Sequence, residues 1–309
     1  MKPAKGIRLL LVLIFISAGV PSCATPNTTS QPTQVGTSSP TQAAQPSSDA
    51  DSTKNPIGTP VAEGTPLPES TDCQDARGRV EEGVLRDPSL FREMPFRVYL
   101  PPCYADISEK TYPTLYLLHG LQSTDSQWDE LGVDEVADTL ITSGTLPAFI
   151  IVMPWHRTGI DLIRAVPEVL VPYIDANYAS RTRRAYRAIG GLSKGGGQAL
   201  EIGLKYPEEF SAVGMHSPAV QYLDSVIIDW ALSIPSENRP SLLIDIGRRD
   251  SLYPAAESLI TAFQQNSIPI MIQINEGDHQ PEYWQEHLDD YLRWYASNWR
   301  RESLKTIIE

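Results

Sequence analysis

Cysteine is scarce in this chain. Its 309 residues include three, Cys23, Cys73 and Cys103. No two of them form a C-x-x-C pair, so the cysteine spacing points to no zinc site. Basic residues are also in short supply, 25 Lys and Arg against 38 Asp and Glu, for a net charge of −13. That balance disfavours nucleic acid and anionic membrane surfaces as partners. Long apolar runs are missing too. The stretch from Leu9 to Val20 is apolar but too short to cross a bilayer as a stable helix. No internal repeat is present, which excludes solenoids and propellers.

The N-terminus fits export. Lys2, Lys5 and Arg8 precede the apolar stretch, a charged region followed by a hydrophobic one. The run ends at Val20-Pro-Ser-Cys23, which resembles the lipobox of bacterial lipoproteins. By that resemblance residues 1–22 are a signal peptide and Cys23 is lipidated. The chain is then expected outside the cytoplasm, held to the membrane by a lipid anchor alone, or secreted if ordinary cleavage occurs instead. Residues 23–71 are rich in Ser, Thr, Pro and Gln. They carry too few large apolar groups to offset chain entropy, so they read as a disordered tether. With Cys23 lipidated, Cys73 and Cys103 remain, and in an exported protein they are expected to pair. The globular part is expected over residues 72–301, with a short tail over 302–309.

Within that part, apolar runs and helical patterns alternate. Thr114–Leu118 and Phe149–Met153 are nearly continuous apolar segments, as in strands covered on both faces. Phe96–Leu100 alternates and ends at Pro101-Pro102, which suggests an early edge strand. Later strands are expected at Ser211–Met215, Leu242–Ile246 and Ile268–Ile274. Helices are expected at Val133–Ile141, Leu162–Tyr178 with a kink at Pro172, Ala255–Gln264 and Tyr283–Trp299. This order implies a single α/β domain, a mostly parallel sheet with helices on both faces. In such sheets the site lies beyond the C-terminal strand ends.

The segment Gly191-Leu-Ser193-Lys-Gly195 is a G-x-S-x-G pattern. It follows the apolar pair Ala188 and Ile189 and precedes the helical pattern Gln198–Lys205. A serine between strand and helix is the context that makes this pattern a nucleophile elbow. Glycines on either side let neighbouring backbone pass close by. A serine hydroxyl needs a base, and the base needs an orienting acid. His279 follows the last strand and Asp250 follows the one before it. The chain order Ser193, Asp250, His279 is that of a hydrolase triad. Among the rivals, Asp245 lies inside a strand and is expected to face a packed helix. Asp278 would have to fold back to reach His279, and Glu276 reads as solvated. His156 and His216 follow strand ends, where pocket and structural roles are equally open. His119 reads as structural and His287 as an exposed helix residue. An oxyanion needs two N–H donors. Lys194, after the nucleophile, supplies one, and Leu121 in His119-Gly120-Leu121-Gln122 supplies the other.

Four segments together resemble the esterase D-type family of α/β-hydrolases. They are Arg97-Val-Tyr-Leu-Pro-Pro-Cys-Tyr104, Tyr112-Pro-Thr-Leu-Tyr-Leu-Leu-His-Gly120, Ile189-Gly-Gly-Leu-Ser-Lys-Gly-Gly196, and Gly277-Asp-His279 with Trp284. That family holds feruloyl, acetylxylan and siderophore esterases, S-formylglutathione hydrolases and mycolyltransferases. The resemblance implies an α/β-hydrolase fold, a serine esterase, and the same five site residues. It implies no metal or organic cofactor, and a small-molecule or carbohydrate-linked ester as partner. Two departures stand out. Lys194 replaces the uncharged residue often found after the nucleophile, and its amine bears on substrate preference. Pro281 stands where an aromatic is frequent. Trp128, Trp155, His156, Tyr253 and Trp284 are candidates for lining the cleft, with core packing an equal alternative for each aromatic. An acyltransferase using the same triad, or a binding protein on a hydrolase scaffold, are the alternatives to an esterase.

Overall fold

The apolar runs become the interior of one sheet in the computed structural model, which describes residues 75–104 and 111–308, with side chains through residue 299. The expected signal peptide, Cys23, the tether and Cys73 lie outside the described residues. The chain order is β1 (Arg79–Leu85), β2 (Met94–Leu100), β3 (Thr114–Leu118), α1 (Gln127–Glu130), α2 (Val133–Thr142) and β4 (Ile150–Pro154). Next come α3 (Leu162–Ala165), a π turn (Val166–Leu170), α4 (Val171–Asn177), β5 (Arg187–Leu192), α5 (Lys194–Lys205) and β6 (Ala212–His216). The chain closes with α6 (Asp224–Ser233), β7 (Ser241–Gly247), α7 (Tyr253–Gln265), β8 (Met271–Asn275) and α8 (Pro281–Ile308).

The eight strands form one sheet in the order β1-β2-β4-β3-β5-β6-β7-β8. β2 pairs antiparallel with β1 and with β4, and all other pairings are parallel. Every residue of β3, β4, β5 and β6 is buried. Their near-continuous apolar sequence has this cause: helices cover both faces, so neither side of the pleat meets water. Alternation along a strand then sends successive side chains to opposite layers. In β3, Leu115 and Leu117 join the layer of Val133, Ala137, Leu288 and Tyr295, while Tyr116 and Leu118 join that of Leu200, Ile202 and Leu259. This is the α/β-hydrolase arrangement.

Four details differ from the sequence reading. The edge strand is β1, not β2, because Arg79–Leu85 pairs along the whole of Met94–Leu100. β1 has a mostly unburied pattern, as an edge strand in water does, so no apolar run marks it. α6 was not anticipated either. The kink expected at Pro172 falls earlier, as the π turn Val166–Leu170 that contains Pro167. Proline lacks the N–H that continues an α-helical ladder, and a wider turn accommodates that loss. Finally, α8 continues to Ile308, through the stretch read as a tail.

Candidate active site

Ser193 sits between β5 and α5 with φ 53° and ψ −116°, a strained conformation for a residue with a side chain. Backbone bonds hold it there. Its N–H donates to the His216 carbonyl at 2.9 Å, and its carbonyl accepts the Ala219 N–H at 2.8 Å. Glycine is required on both sides. A Cβ at Gly191 would stand 2.4 Å from the Gly195 carbonyl, and one at Gly195 would stand 2.4 Å from the Leu118 oxygen. The elbow thus packs directly on the end of β3, where the Leu121 loop begins.

Asp250 lies beyond the end of β7 and is 3% exposed. Its Oδ1 accepts the Leu252 N–H at 2.8 Å, and its Oδ2 faces His279 Nδ1 at 2.8 Å. Burial alone would raise the carboxyl's pKa. Hydrogen bonds from His279, the Leu252 N–H and the Ser217 hydroxyl outweigh it, so the pKa lies below the ordinary value. Asp250 is therefore ionised at neutral pH. A carboxylate only accepts, which fixes the Nδ1–H tautomer of His279 and leaves Nε2 as its basic atom. Ser193 Oγ makes no hydrogen bond to His279 among the described residues. Catalytic hydrogen bonds are often long or misaligned before substrate binds.

The backbone N–H groups of Leu121 and Lys194 both lack an acceptor among the described residues. Lys194 is the first residue of α5, where backbone N–H groups lack intrahelical acceptors. The Leu121 N–H has no partner among the described residues. Neighbouring groups fix its loop. The Gly120 N–H donates to Gln127 Oε1 at 2.7 Å. His119 Nδ1 donates to the Gly120 carbonyl at 2.7 Å, and its Nε2 accepts the His156 N–H at 2.9 Å. Burial, which disfavours charge, lowers the His119 pKa, in keeping with this neutral tautomer. His119 is structural, as its sequence position suggested.

The aromatic candidates separate. Trp128 is 1% exposed, donates to the Leu118 carbonyl at 3.1 Å and meets His216 edge-on. It is a core residue beneath the β3 end, the second of the two roles open to it in the sequence. Trp284 is buried as well. Its ring stands perpendicular to His279 with centroids 5.0 Å apart, and its Nε1 donates to Ser217 Oγ at 3.1 Å. It packs against His279 and is closed off from solvent. Trp155 is partly buried under the Arg157 guanidinium. Tyr253 is partly buried at the start of α7, three residues beyond Asp250. His156 is partly buried, and its Nδ1 lies 3.2 Å from Gln198 Nε2.

The remaining rivals are occupied elsewhere. Asp245 accepts Tyr283 and Tyr291 hydroxyls from α8, the packed helix its strand position implied. Asp278 and Glu276 pair with Arg249. His216 is fully buried against Tyr291 and Tyr295. His287, expected to be exposed, is partly buried with its ring 4.6 Å from that of Tyr283. Three contributors escaped the sequence reading: Gln127, Ser217 and Gln198. None belongs to a motif. The sole signal was position, Ser217 at the end of β6 and Gln198 four residues beyond Lys194 on one helix face.

The fold and this strand-end constellation define the class as an α/β-hydrolase with a serine at the elbow. Residues 88–159 and 161–295 match the model of the family described as "Putative esterase". The chain belongs to this family of esterases. An endo-1,4-beta-xylanase/feruloyl esterase of Xylanibacter ruminicola is 28% identical over 156 residues, 45% of this chain and 22% of that protein. Esterase Rv1288 of Mycobacterium tuberculosis is 32% identical over 168 residues, 48% of this chain and 34% of that protein. The chain thus spans about a fifth to a third of these curated relatives. A solved ferulic acid esterase superposes with a TM-score of 0.65 at 25% identity, covering 72% of this chain and 98% of that one.

Proposed function

We propose that the chain is a serine carboxylic-ester hydrolase working through Ser193, His279 and Asp250. The observation that carries this reading is the 2.8 Å contact between Asp250 Oδ2 and His279 Nδ1, with Ser193 held at a strained elbow after β5 in the same sheet. His279 Nε2 takes the hydroxyl proton as Ser193 Oγ attacks the ester carbonyl. Asp250 steadies the resulting imidazolium. The Leu121 and Lys194 N–H groups meet the oxyanion. His279 returns the proton to the departing alcohol, leaving an acyl-serine. Water, deprotonated by the same histidine, then releases the acid and restores the hydroxyl.

The substrate is a small-molecule or carbohydrate-linked ester, supported by the feruloyl esterase names of two similar proteins. Export and lipid anchoring at Cys23 are supported by the charged-then-apolar N-terminus. The Cys73–Cys103 bridge is supported by the disulfide-bonded state of Cys103.

Ser193→Ala tests the mechanism. Hydrolysis of p-nitrophenyl acetate should fall to background while the circular dichroism spectrum and Tm stay those of the parent. Parent-like turnover by the variant would refute the assignment.

A further inference from the structure

Lys194 is a cation in an electrostatically poor position. It is the first residue of α5, where the helix dipole is positive and a positive side chain is disfavoured by about 0.3–1 kcal/mol. The chain carries 38 acidic residues, yet Lys194 forms no ion pair among the described residues. By contrast Lys205, at the other end of the same helix, pairs with Glu201 at 2.6 Å. Lys194 is also partly buried, so its charge is not fully answered by water.

Its surroundings form a small polar corner beside the nucleophile. Gln198 lies one turn along α5, on the same helix face as Lys194. Its Nε2 meets His156 Nδ1, and the His156 N–H meets His119 Nε2, so the corner runs from α5 to the ends of β3 and β4. Gln198 is 8% exposed and its Oε1 has no hydrogen-bond partner. A buried acceptor without a donor costs about 1–3 kcal/mol unless something supplies one. Both histidines are kept neutral, by burial first and by the field of Lys194 as well. Asp125 also acts on His119, but it forms no ion pair with Lys194 among the described residues. The corner therefore holds one unpaired positive charge, one buried acceptor without a donor, and two neutral rings.

We propose that Lys194 selects esters bearing a carboxylate, with the ammonium paired to that carboxylate while Ser193 attacks the ester carbonyl. The preferred substrates are half-esters of diacids or esters of acidic sugars, not neutral esters of the same length. This rests on the esterase reading and names the substrate class for that site.

The test compares two methyl esters of equal chain length, monomethyl adipate and methyl hexanoate, by chromatography of the acids released. The readout is the ratio of their kcat/KM values, so a general effect of substitution on the backbone N–H of residue 194, itself a proposed oxyanion donor, cancels. In the parent the ratio should exceed one at low salt and fall toward one in 0.5 M NaCl, because screening weakens the pair. Lys194→Met should lower the ratio about tenfold, mainly through KM of the half-ester, and Lys194→Arg should keep it within about twofold. A ratio unchanged in Lys194→Met overturns the proposal while leaving the esterase reading intact. Absence of hydrolysis of both esters by the parent overturns the esterase reading itself. Should the methionine variant turn over too slowly to measure, calorimetric binding of monomethyl adipate to Ser193→Ala and to Ser193→Ala/Lys194→Met decides. Equal affinities refute the pairing, and about tenfold weaker binding by the double variant supports it.

Discussion

Trp284 Nε1 donates to Ser217 Oγ across 3.1 Å, and the Ser217 hydroxyl in turn hydrogen-bonds Asp250. The same indole stands edge-on to the His279 ring. Two supports thus reach the acid–base pair from one tryptophan, one through the carboxylate and one through the imidazole. Ser217 is itself fully buried with φ 47°, a conformation that non-glycine residues hold only when their surroundings enforce it. Ser217→Ala removes a hydrogen bond to a charged group, worth about 1.5–3 kcal/mol. The expected result is a fall in kcat of about 10- to 100-fold with KM little changed. Trp284→Phe keeps the ring and loses the N–H, so it should show a smaller loss. Steady-state kinetics on a neutral ester separates the two contributions, and an unaltered kcat in Ser217→Ala would remove Ser217 from this role.

Gln127 accepts the Gly120 N–H at 2.7 Å, next to Leu121, the proposed oxyanion donor. With that acceptor gone, the Leu121 loop loses one of its fixed points. Complete loss of an oxyanion donor costs about 10²–10³ in rate. Gln127→Ala should approach the lower end of that range in kcat, since the donor itself remains but is less well aimed. Gln127→Glu, which retains an acceptor, should recover part of the rate. Equal activity in all three proteins would show that the loop is held without Gln127.

Gly195→Ala tests the packing of the elbow. The added carbon would lie 2.4 Å from the Leu118 oxygen and 2.6 Å from the His119 oxygen, both backbone atoms that cannot swing aside. Overpacking of this kind costs about 1–3 kcal/mol or more. A lower Tm, with activity falling faster than stability, is expected from thermal denaturation and initial rates of the same preparation. A variant with parental Tm and rate would mean that the elbow and β3 can separate at no cost.

His216 supplies a pH-dependent term to stability. It is buried between Tyr291 and Tyr295, and burial lowers its pKa to about 3. An unfolded histidine titrates near ~6.5, so between these values the unfolded chain binds more protons and stability falls with falling pH. Asp245 acts in the opposite sense. Burial raises its pKa to about 6, so the native state takes up a proton first and stability falls as pH rises from about 4 to 6. Comparing the parent with His216→Phe cancels the Asp245 contribution. Relative to the variant, the parent should lose about 2 kcal/mol of unfolding free energy between pH 7 and pH 5, measured by urea titration. Parallel pH dependences would show that His216 does not remain neutral in the fold.

Much of this molecule could be read from its sequence because the governing forces are local. Runs such as Thr114–Leu118 must be covered on both faces, and their alternation with helical patterns leaves few arrangements besides a parallel sheet. The elbow was legible because its G-x-S-x-G pattern is local, although Gly195 answers a steric demand from Leu118 and His119 on the neighbouring strand. Asp250 and His279 were legible because the sheet order places consecutive strand ends side by side. Other features follow from contacts between distant parts of the chain, which no local pattern encodes. Only packing decided that Trp128 lies in the core, that His216 is sealed against α8, and that Ser217 and Gln127 brace the two halves of the site. The charge on Lys194 is plain in the sequence. That it has no carboxylate partner among its described neighbours depends on where the rest of the chain comes to lie.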